Sequence, residues 1–107
     1  MIKATFKKSD GYVSCISISG HAFHSPIGTD IVCAGVSALF ITIVNELSGE
    51  IVDVNSNNGQ SIIIEPKRKN TILITALIHG LQSIEEQYPE NLKVEVIEDV
   101  HTNIEVI

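Results

Sequence analysis

The run from Ile31 to Leu47 is apolar nearly all round, and it constrains the fold more than any other feature of the chain. A helix with no polar face must be covered from more than one side. The β-branched residues in this run would also suit a strand, but about seventeen residues is helix length rather than strand length. Thr29 or Asp30 is a ready N-cap, which predicts a helix starting at Ile31. The longest apolar-rich stretch, Ile31 to Val44, is too short to span a bilayer.

The segments on either side supply the cover. Ile2 to Lys7 and Tyr12 to Ser19 are β-prone runs separated by Ser9-Asp10-Gly11, and Asp-Gly is favoured in tight hairpin turns. Ile51 to Asn55 and Gln60 to Glu65 flank Asn57-Asn58-Gly59, where Asn and Gly tolerate the positive φ of a turn. A second helix is expected after Asn70, with an apolar stripe of Leu73, Leu77, Leu81, Ile84 and Tyr88 that ends at Pro89. Leu92 to Glu98 alternates as a half-buried strand, and Ile104 to Ile107 is a candidate edge piece. The expected order is β-β-α-β-β-α-β. This is an α+β two-layer sandwich, a mostly antiparallel sheet with both helices on one face, in a single domain over residues 1–107.

The chain carries a formal net charge of −6, with −2 over residues 1–53 and −4 over the rest. Such a field opposes binding to a phosphate backbone, so no direct nucleic-acid partner is expected. The only basic cluster, Lys67-Arg68-Lys69, reads as a solvated loop. Cys15 and Cys33 lack the spacings of a disulfide scaffold or zinc site, and His24, His79 and His101 form no ligand spacing with them. Neither a metal nor another cofactor is expected. No basic n-region precedes an apolar run at the N-terminus, so no membrane association is expected and the cytoplasm is the natural compartment.

The chemistry-bearing residues concentrate in Gly20-His21-Ala22 and in the stretch from Gly28 to Leu39. If Asp30 caps the helix, Cys33 falls in the first turn, where free backbone N–H groups and the helix dipole stabilise a thiolate. The same N–H groups would serve an oxyanion. His21 ends the second strand, where a sheet can hold an imidazole beside the thiol as general base. Each residue also has a plain structural reading. A Cys in an apolar helix is commonly a packing residue, His21 after a glycine is commonly a loop residue, and Asp30 can cap the helix whether or not it orients His21. Ser37, one turn beyond Cys33, can face the thiol or bond back to the Cys33 carbonyl. Cys15 reads as structural. The segment of residues 22–29 reads as a lid, with Phe23 and Ile27 as a wall for substrate and Gly28 within the loop, or else as an ordered turn fixed by Pro26.

Gly20-His21-Ala22, followed at this distance by Asp30-Ile31-Val32-Cys33 and Val36-Ser37-Ala38-Leu39, resembles the ribosomal-processing cysteine protease family, Prp. The likeness runs the whole chain and includes Gly80-Leu81 and Ile84 to Tyr88-Pro89; Gly35 departs from it, where the family more often has alanine. The resemblance implies a homodimeric cysteine endopeptidase with Cys33 as nucleophile and His21 as base, supported by Gly20, Asp30 and Ser37. It further implies a basic partner as substrate, the large-subunit ribosomal protein numbered twenty-seven, cut after a phenylalanine pair to remove an N-terminal extension. The rival from another class is a non-catalytic ribosome-associated factor that binds without cutting. A thiol–disulfide oxidoreductase would want a second cysteine near Cys33, and Cys-X-X-Cys is absent.

Overall fold

The computed structural model describes the backbone of residues 1–20, 27–56 and 59–98, with their side chains except at 27–30 and 55–56. Its elements follow the expected order: β1 (Ile2–Ser9), β2 (Tyr12–Ser19), α1 (Ile27–Glu46), β3 (Ile51–Ser56), β4 (Gly59–Ile64), α2 (Arg68–Gln87) and β5 (Leu92–Ile97). At the first hairpin Asp10 and Gly11 both have positive φ, 54° and 84°. A two-residue turn that matches the strand twist needs that combination. A register shift between Lys7 and Lys8 lets Val13 and Ile16 both be buried. The turn at Asn57-Asn58 and the edge piece at Ile104 to Ile107 lie outside the described residues.

The sheet order is β3-β4-β2-β1-β5, antiparallel throughout except for the parallel pair β1–β5. It follows that β2 is parallel to β3, and β4 to β5, so each helix bridges two parallel strands that are not neighbours. The two crossovers run in opposite directions across the sheet between strands of opposite sense. With the right-handed connection that such units adopt, both helices fall on the same face. Burial agrees: Ile2, Ala4 and Phe6 of β1, Ile16 of β2 and Ile62 and Ile64 of β4 form one core with Val32, Val36 and Phe40 of α1 and Ile74, Leu77, Ile78 and Leu81 of α2.

Three expectations about the helices need correction. The stripe that α2 buries is centred on Ile74, Leu77, Ile78 and Leu81, and Leu73, Ile84 and Tyr88 are only half-buried. Lys67-Arg68-Lys69 is exposed but is not a loop, since Lys67 caps α2 and Arg68 opens it. Basic residues oppose the dipole at a helix start, which is why the sequence pointed elsewhere. Asn70 does not precede the helix; it lies inside the first turn and is 1% exposed. Its Oδ1 accepts from the Ser48 N–H at 2.7 Å, and its Nδ2 donates to the Ser48 and Glu65 carbonyls at 2.8 and 3.1 Å. One side chain thus ties the α1–β3 loop to the β4–α2 connection and satisfies backbone groups that would otherwise be stranded. Glu65 adds to the same junction by accepting from the Glu50 N–H.

Candidate active site

Gly20 ends β2 with φ of 89°, and a Cβ there would fall on the Met1 carbonyl. Only glycine allows the chain to leave the sheet at this point so close to the start of β1. His21 and Phe23 come next and lie outside the described residues.

The helix that carries the cysteine starts at Ile27, earlier than its sequence suggests. Thr29 and Asp30 are therefore helical residues and not caps, and Ile27 and Gly28 belong to the first turn of α1 and not to a loop. Residues 22–26 of the expected lid lie outside the described residues. Gly28, a poor helix former, hides this earlier start in the sequence. Cys33 becomes the seventh helical residue. Its own N–H belongs to the helix ladder, and the field of the helix end, which fades within a turn, is not what acts on it. The expected first-turn thiolate site and its oxyanion donors are thus not formed at Cys33.

What the fold gives Cys33 is a groove. A cavity of about 550 Å³ lies between α1 and the sheet face formed by β2, β4 and β3. Cys33 and Ser37 line it from the helix, Gly20 and Ile18 from β2, and Gln60 and Asp53 from the second hairpin. Its remaining wall is mainly aliphatic and aromatic, with Val36, Phe40, Val44, Ile51 and Ile62. Cys33 is half-buried and packs against the core on one side while it borders the groove on the other. Ser37 is exposed. Thr71, Thr75 and Ser83 of α2 bond back to the carbonyl four residues earlier, whereas among the described residues Ser37 makes no such bond to Cys33. Cys15 sits on the opposite face of the sheet, cross-strand from Lys7 and Ile63. Gly35 faces α2, where a Cβ would meet Ile84 Cδ1 at 3.3 Å, so an alanine needs only a small shift of a side-chain end. No group of three His, Cys, Asp or Glu among the described residues is placed to hold a metal ion.

Asp53 and Gln60 were missed in the sequence. The available signal was parity: Asp53 shares a face with Ile51, and Gln60 with Ile62 and Ile64, so polar side chains stand at inward positions of two half-buried strands. The Gln60 Nε2 donates to both carboxylate oxygens of Asp53 at 2.9 Å.

Comparison with known proteins decides the class. The family model for cysteine protease Prp matches residues 1–93. The chain belongs to the Prp family of cysteine proteases. The ribosomal processing cysteine protease Prp of Bacillus subtilis is 34% identical over 107 residues, an alignment covering 88% of this chain and 96% of that protein. The crystal structure of the essential ribosomal processing protease Prp from S. aureus with a substrate peptide superposes with a TM-score of 0.79 at 28% identity, covering 90% of this chain and 99% of that one. The same protease with a covalently linked product peptide gives 0.77 at 28% identity over the same shares. Membership in Prp sets the chain with the peptidases and not with the non-catalytic binding factor. Among the described residues, no helix is long and apolar enough to cross a membrane.

Proposed function

We propose that this single protease domain is an endopeptidase that removes the N-terminal extension of large-subunit ribosomal protein twenty-seven, cutting after a phenylalanine pair with a Cys33–His21 dyad. The observation that carries the reading is the position of Cys33, half-buried on the wall of an apolar groove that also contains Gly20, the residue before His21. Substrate phenylalanines suit that wall, and Phe23 and Ile27 are the candidates to extend it. From Cys33 to Asn45 the helix side of the groove runs about 18 Å at the usual helical rise, the length of about five extended residues.

In this reading His21 takes the thiol proton as Cys33 Sγ attacks the scissile carbonyl, and returns it to the departing amine, leaving a thioester. A water then gives its proton to His21, attacks the thioester and releases the acid product and the thiol. A covalently linked product peptide in the S. aureus relative fits that route. Because Cys33 stands a turn deeper than a first-turn nucleophile, activation rests on His21 rather than on the helix end. Asp30 and Ser37 support the pair or the substrate, and the enzyme acts as a cytoplasmic homodimer. The test is incubation of the purified protein with the extended ribosomal protein beside Cys33→Ala and His21→Ala, with product masses read out. Cleavage after the phenylalanine pair by the parent alone is expected, and cleavage that survives in Cys33→Ala would refute the dyad.

A further inference from the structure

Asp53 is the one charged residue lining the groove among the described residues. It lies on the edge strand β3, opposite Ile62 of β4, with its side chain on the helix-bearing face of the sheet. The amide of Gln60, diagonal to it across the hairpin, holds both carboxylate oxygens at 2.9 Å. That grip fixes the carboxylate's direction before any ligand arrives, and each oxygen keeps a further lone pair for a second donor. Among the described residues no lysine or arginine bonds to Asp53, and the ion pairs are Lys3–Glu95 and Lys8–Glu98, both away from the groove. An exposed anion at the edge of a mainly apolar groove is suited to a cation carried on an apolar stem, which is the chemistry of a lysine or arginine side chain.

We infer that Asp53, positioned by Gln60, is a specificity-determining residue that binds a lysine or arginine side chain of the peptide occupying the groove. The inference rests on the protease reading for where the peptide lies, but its charge recognition is separate from the chemistry at Cys33. Asp53 lies three residues along β3 from Ser56, which pairs with Gly59 at the Gly20 end of the groove. At the rise of a strand this is about 10 Å, so the basic side chain belongs about three residues from the bond cut.

The test uses short labelled peptides that carry a Phe-Phe pair, with one lysine moved stepwise along the chain and glutamine in its place as the neutral control. At one position the lysine peptide is expected to exceed its glutamine control about three- to tenfold in kcat/KM, chiefly through KM, with the preference falling as salt is raised. Asp53→Asn keeps one of the two Gln60 bonds and removes the charge, so it should erase the preference by bringing kcat/KM for the lysine peptide down to that of its glutamine control. Asp53→Lys should prefer a glutamate at the same position. A preference that persists in Asp53→Asn, an equal loss on charged and neutral peptides, or no position with a preference would overturn the inference. The same peptides are also titrated onto Cys33→Ala and read by fluorescence anisotropy. Loss of cutting with retained Asp53-dependent binding would reject the protease reading alone, and charge-independent binding would reject the role of Asp53 alone.

Discussion

α1 and α2 are both twenty residues long and lie on the same face of the sheet, yet they are used differently. α2 is amphipathic and seals the sheet with Ile74, Leu77, Ile78 and Leu81, of which Leu77 and Leu81 are fully inaccessible. α1 is apolar nearly all round, but among its described side chains only Val32, Val36 and Phe40 are buried, and Ile31 and Ile41 are 56% and 57% exposed. The side that carries Cys33, Ser37 and Ile41 borders the groove. The contrast separates two tasks, since α2 closes the core while α1 stands partly clear of the sheet and makes room for a ligand beside Cys33.

The comparison can be broken by mutation. Leu81→Ala, within the α2 stripe, should cost about 3 kcal/mol because the lost side chain leaves a cavity under two layers; urea unfolding measures it. Asn70→Ala should follow at about 2 kcal/mol, since it strands the Ser48 N–H and two carbonyls. That corresponds to a fall in melting temperature of about 10 °C. Ile41→Ser on α1 should change stability by less than about 0.5 kcal/mol. Ile41 borders the groove, so a cost there equal to that of Leu81→Ala would show that the groove side of α1 is closed and end the contrast.

The smallest effect lies on the far face of the sheet. Lys3 Nζ meets Glu95 Oε1 at 2.8 Å, and the hydrogen bond and charge of Lys3 hold the Glu95 carboxyl below its ordinary value. A carboxyl lowered in the folded state stabilises at pH above its unfolded value, and that contribution is lost as pH falls through the folded value. Glu95→Gln should therefore shift the urea midpoint slightly at neutral pH and not at all in acid. A shift that grows on acidification would contradict the pairing.

The two helices also differ in how much of them the sequence revealed. α2 was legible because one face is polar, and the error was a displacement of its buried stripe and of its start near Asn70. The hairpins were legible because Asp10-Gly11 dictates its own turn. α1 announced its existence but not its orientation, since a helix apolar all round has no moment to say which side faces the core. Its start was misread because Thr29 and Asp30 are good caps that the helix runs through. Within the site, Gly20, Cys33 and Ser37 line one groove. The groove wall was not legible, because Ile18, Phe40, Ile51 and Ile62 come from four elements that only the folded sheet brings together.

The central claim, that Cys33 on the groove side of α1 is the nucleophile, is tested most directly by covalent labelling. The protein is treated with a Phe-Phe peptide bearing a thiol-reactive chloromethyl ketone, and the modified residue is located by peptide mass mapping. Cys33 and Cys15 are both half-buried and free, so exposure gives no reason for a large difference between them. A single adduct on Cys33 is expected, formed far faster than with iodoacetamide, and none on Cys15 over the same time. Labelling of Cys15 at a similar rate, or a Cys33 adduct no faster than that of the small reagent, would contradict it.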